Sequence, residues 1–70
     1  MKRVRFLREL ENYCNANNLS YDWKKGKGKG KGSHGTVYVG QDKTTVKDGE
    51  IDPLVKEYIL KQLRIPKDAF

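Results

Sequence analysis

The sequence has little of what locks a fold covalently. Cys14 is the only cysteine among 70 residues, so no intrachain disulfide can close and no Cys-x-x-Cys metal spacing exists. That pattern suits a reducing compartment and a cytoplasmic protein without structural zinc. Apolar residues make up only 36% of the chain, and no run of them approaches the roughly 20 that a membrane span requires. Near the basic start (Lys2, Arg3, Arg5, Arg8) the charges of Arg8 and Glu9 interrupt any signal-type apolar stretch. The chain is also too short for a two-lobed enzyme, a Rossmann sheet or a (β/α)8 barrel. One small domain spanning residues 1–70 is what the length allows. Its core supplies roughly 3–5 kcal/mol.

What is abundant is positive charge. Fifteen Lys and Arg oppose nine Asp and Glu, a net charge of +6. Five of those lysines lie in the segment 24–32, which holds no acid, so it carries +5 and leaves +1 for the rest. A nearly neutral domain with a positive spike attracts polyanions, nucleic acid foremost.

Periodicity predicts a helix over residues 2–17. Val4, Leu7, Leu10 and Cys14 form its apolar stripe, flanked by Phe6 and Tyr13, and the asparagines at 15, 17 and 18 end it. Alternation over residues 19–23 predicts a strand with Leu19, Tyr21 and Trp23 inward. At alternate strand positions these aromatics are better core residues than base-stacking platforms. The Lys-Gly alternation over 24–32 has nothing to bury and predicts a mobile loop. A second strand runs from His34 to Val39, with Val37 and Val39 on one face and His34, Thr36 and Tyr38 on the other. Thr44–Val46 makes a third strand after a turn at Gln41-Asp42. Asp52 then caps a closing helix with Pro53 at its first position. Val55, Ile59 and Leu63 form its stripe beside Leu54 and Tyr58, and Pro66 stops it. The fold class is therefore α+β in the order αβββα, a three-stranded antiparallel sheet with both helices on the Val37/Val39 face.

Two phosphate-loop motifs fail on context. Residues 30–35 match G-x-G-x-x-G, yet a strand follows where the dinucleotide motif needs a helix. Gly30-Lys31 is followed by Gly32 rather than Ser or Thr, so it is no Walker A loop. What remains is the Lys-Gly segment as a polyanion contact through Lys25, Lys27, Lys29 and Lys31, next to the single histidine, His34. Histidine is the side chain whose charge changes near neutral pH. Without a metal it can take a proton from a ribose 2′-hydroxyl or give one to a departing 5′-oxygen. Ser33, Tyr38, a lysine or water are the available partners for the other transfer. A Ser-His-Asp triad is disfavoured because Ser33 and His34 are strand neighbours pointing to opposite faces. No pair of carboxylates has glycosidase-like spacing.

Several of these residues resemble the HicA family. The likeness runs from an N-terminal helix to Lys31-Gly32-Ser33-His34 opening a strand, then Thr45-Val46, Lys47-Asp48-Gly49-Glu50-Ile51 and Tyr58-Ile59-Leu60-Lys61-Gln62-Leu63. Members of that family are small bacterial toxins, mRNA interferases on a double-stranded-RNA-binding-like fold. The resemblance covers nearly the whole chain. It implies that His34 is catalytic and that Gly32 and Ser33 shape the turn presenting it. It further implies messenger RNA as substrate, a HicB-type antitoxin as protein partner, a bacterial cytoplasmic location and no cofactor. This chain departs from the family in its repeated Lys-Gly, and in having Lys47-Asp48 where many members carry a second histidine. A non-catalytic RNA-binding module of the same fold, or a basic adaptor for a protein partner, are the rival readings. Both leave His34 dispensable.

Overall fold

A computed structural model describes residues 1–26 and 34–70. The element order is α1 (Arg3–Ala16), β1 (Tyr21–Lys25), β2 (His34–Val39), β3 (Asp42–Lys47) and α2 (Pro53–Gln62). The strands form one antiparallel sheet in the order β1-β2-β3. The predicted αβββα layout is the observed one. Among the described residues no helix is long and apolar enough to cross a membrane.

Both helices pack on one sheet face because each has one apolar stripe to hide. Phe6, Leu10 and Cys14 of α1 meet Val37, Val39 and Val46 of the sheet and Ile59 and Leu60 of α2, with Ile51, Leu63 and Ile65 completing the buried cluster. Full burial of side chains of this size stabilises by about 1.5–3 kcal/mol each. Tyr21 and Trp23 are half-buried against the cluster, as the alternation predicts. Burial also pushes the Tyr21 hydroxyl up to about 12, with a smaller contribution from the nearby Glu11 carboxylate.

Three local expectations are corrected. In α1 the buried position is Phe6, whereas Val4 faces solvent. The first strand begins and ends two residues later than residues 19–23, so Leu19 is exposed while Lys24 and Lys25 belong to β1. On α2 Ile59 is inward as expected, as is Leu63 just past its end, but they are joined by Leu60, while Leu54, Val55 and Tyr58 are exposed. The stripe rotates because the chain leaving α2 folds back. Ile65 donates its N–H to the Leu60 carbonyl at 2.9 Å, and both side chains are buried.

The ends of the helices follow local chemistry. Asp52 Oδ1 accepts from the Val55 N–H at 2.9 Å, and Pro53 opens the helix as expected. Both helices finish with the same reversed bond, Leu19 N–H to Cys14 carbonyl at 2.8 Å and Ile65 N–H to Leu60 carbonyl. Each requires a left-handed residue just before it. Asn18 (φ 56°) supplies one and Arg64 (φ 59°) the other.

Candidate nucleic-acid interface and active site

The helices cover one sheet face and leave the other to solvent. Register fixes which side chains share that open face. His34, Thr36 and Tyr38 run along β2, and Lys47, Thr45 and Lys43 stand directly across from them on β3. On β1, Lys24 is opposite Thr36 and Asp22 opposite Tyr38. His34 is exposed, as strand alternation predicts. The face therefore carries the imidazole, the ammonium groups of Lys24, Lys43 and Lys47, and the hydroxyls of Thr36, Tyr38 and Thr45. Asp22 is its one strand carboxylate, at the end away from His34, and accepts the Trp23 N–H at 2.9 Å.

His34 is held by backbone rather than by side-chain packing. Its carbonyl accepts the Gly26 N–H at 2.9 Å, which extends the β1–β2 ladder beyond Lys25 paired with Gly35. The next residue, Gly35, is buried because the Trp23 ring lies on it. A Cβ there would come within 2.7 Å of both the Lys24 carbonyl oxygen and the indole edge. The Arg3 guanidinium sits 5.0 Å from the centre of the Trp23 ring. Its Nη2 lies 3.5 Å from Asp48 Oδ1. A stack of Arg3, Trp23 and Gly35 thus supports the start of β2 from the helix side, opposite the face on which His34 is presented.

Of the residues singled out in sequence, His34 and Lys25 are described, while Gly32, Ser33, Lys27, Lys29 and Lys31 lie outside the described residues. The expected loop 24–32 is shortened at its start by β1. Lys25 is exposed but pairs with Gly35, which places it on the opposite side of the sheet from His34. Sequence reasoning missed Lys47 as the residue across from the histidine, and Lys24 and Lys43 as further lysines of the same face. Alternation within each strand was the available signal, but only the pairing register brings the strands' polar positions onto one surface.

At the β3 edge of this face, a groove of about 360 Å³ lies between β3 and α2, lined in part by Thr45, Lys47, Ile51, Val55 and Tyr58. Among the described residues no three His, Cys, Asp or Glu side chains come together in a group that could hold a metal ion. Burial pushes the Cys14 thiol up, with a smaller contribution from Glu11, so this cysteine is a core residue rather than a nucleophile. Comparison with known protein families, curated proteins and solved structures returns no match.

Proposed function

We propose that the protein is a HicA-type mRNA interferase, a bacterial toxin cleaving messenger RNA in the cytoplasm and restrained by a HicB-type antitoxin. The observation that carries the reading is an exposed histidine on an uncovered, lysine-bearing sheet face. It begins the strand that follows the Lys-Gly segment.

In this scheme RNA lies across the open face with a 2′-hydroxyl beside the His34 imidazole. The imidazole takes the 2′-proton as the 2′-oxygen attacks phosphorus and the bond from phosphorus to the 5′-oxygen breaks, or it protonates that departing oxygen, and a lysine or water makes the other transfer. Lys47, across the ladder from His34, supplies positive charge beside the phosphate as negative charge builds in the transition state. The products are a 2′,3′-cyclic phosphate and a 5′-hydroxyl. No metal or cofactor enters the steps.

Purified protein incubated with labelled RNA, with and without chelator, tests the reading. Expected is cleavage in both conditions with cyclic-phosphate ends, and no cutting of the matching DNA, which lacks the attacking hydroxyl. RNA bound but uncut would replace it with the non-catalytic binding module.

A further inference from the structure

Taking RNA as the ligand from the reading above, we infer that the open sheet face is a track for single-stranded RNA, with Tyr38 as a base-stacking platform and Lys24, Lys43 and Lys47 as phosphate contacts. Tyr38, Lys43 and Lys47 lie outside the Lys-Gly segment and Lys24 is its first residue, held in β1; three successive rows of the sheet carry them. One row crosses Asp22, Tyr38 and Lys43, the next Lys24, Thr36 and Thr45, and the last His34 and Lys47.

Tyr38 is half-buried by its strand neighbours and no helix covers its side of the sheet. Lys24 Nζ lies 5.9 Å from the centre of its ring, the outer edge of cation–π range. The ring therefore has a face open enough to receive a cation from above. A nucleobase has the same access and offers far more contact area, leaving Lys24 to turn to the adjoining phosphate. His34 and Tyr38 are four residues apart, which is about 13 Å along a strand. That distance lets one segment of extended RNA reach both, with the stacked base a few nucleotides from the scissile phosphate.

The same geometry selects against duplex. Stacking on an aromatic ring requires an unpaired base, whereas duplex RNA is read by shape from its shallow groove. Asp22 sets the direction of the track. Its carboxylate repels phosphate beside Tyr38, so the backbone is drawn along the Lys43 to Lys47 side towards His34.

The test is binding of a labelled single-stranded RNA oligonucleotide and its duplex, in a His34→Ala background that leaves RNA uncut. Tyr38→Ala should weaken single-strand binding about tenfold or more. Tyr38→Phe, which keeps the ring and loses the hydroxyl, should bind like the parent. Lys24→Gln/Lys43→Gln/Lys47→Gln, all at exposed positions, should flatten the slope of log affinity against log salt by about 2. The duplex should bind more weakly than the single strand and respond little to Tyr38→Ala. Equal affinity of parent and Tyr38→Ala, or an unchanged salt slope in the lysine variant, would overturn the track. If wild-type protein still cuts RNA in a His34-dependent way while these variants bind normally, only the track is lost. Failure of the wild type to cut any RNA removes the interferase reading instead, and the binding measurements then judge the track by themselves.

Discussion

The Gly26 N–H donates to the His34 carbonyl at 2.9 Å, and a Cβ on Gly26 would stand 2.5 Å from that same oxygen and 3.4 Å from the imidazole Cδ2. Backbone can approach His34 this closely only because residue 26 has no side chain. The contact ties the last described residue of the β1 arm to the first residue of β2, and so fixes the base of the histidine. The clash is with backbone, which has little freedom to yield. Gly26→Ala should therefore displace His34. Misplacing a catalytic group by about 1 Å can cost on the order of 100-fold. We expect kcat/KM for RNA cleavage to fall at least tenfold while the thermal midpoint drops only a few degrees, read by single-turnover cleavage and by melting followed in circular dichroism.

His34 is exposed and makes no contribution to the buried cluster. Replacing it with alanine should remove positioned proton transfer, typically worth 10²–10⁴-fold, and with it growth arrest on expression. Stability should stay within about 0.5 kcal/mol, as for most surface substitutions. A folded His34→Ala protein that cleaves at the wild-type rate would refute the assignment.

The charge of the Lys-Gly segment makes a separate, salt-dependent prediction. If the five lysines of residues 24–32 all met phosphates of single-stranded RNA, log affinity would fall against log salt with a slope of about −3.5, an upper limit. Changing Lys25, Lys27, Lys29 and Lys31 to glutamine should flatten the slope and weaken binding. A salt titration in the His34→Ala background measures it, and coincident slopes would leave RNA binding to the rest of the protein.

Arg64 occupies a left-handed position, φ 59°, at the end of α2. That conformation costs an L-residue roughly 1–2 kcal/mol. Its ion pair with Asp42, at 3.6 Å and largely exposed, returns only a few tenths of a kcal/mol. Glycine relieves the strain but loses about 0.5–1 kcal/mol through its freer unfolded chain. Arg64→Gly should therefore raise stability by about 0.5 kcal/mol, a gain of a few degrees in thermal midpoint for a domain of this size.

Tyr21 gives the fold an alkaline limit. Its hydroxyl titrates near 10 when unfolded and at about 12 in the folded protein, mainly because of burial. Between those values the unfolded chain has released a proton that the folded one still holds, so stability is complete below pH 10 and is lost as pH rises towards 12. Comparing urea midpoints of wild type and Tyr21→Phe across that range should show the steeper decline in the wild type. Parallel declines would mean that other groups set the limit.

Much of this architecture was legible because its signals are local. Asp52 and Pro53 announce the start of α2 by capping chemistry alone, and the asparagines after Ala16 announce the left-handed end of α1 at Asn18. The alternation over β2 correctly puts Val37 and Val39 inside and His34 outside. Pro66 marks the end of α2, but nothing local marks the left-handed residue at Arg64, since arginine does not ordinarily take that position. There the burial of Leu60 and Ile65 holds the turn and overrides the preference.

The sequence by itself determined the order of elements, the single charged segment and the one histidine at the start of a strand. Composition and short-range periodicity carry all of these. Tertiary structure decided which turn of α2 faces inward, moving Leu54, Val55 and Tyr58 to the surface, because helix rotation depends on what the rest of the core already fills. It also decided what surrounds His34. Lys47 stands opposite it and Lys25 lies on the far side of the sheet. Neighbours across a sheet are set by register, and a shift of one residue would send every one of those side chains to the other face.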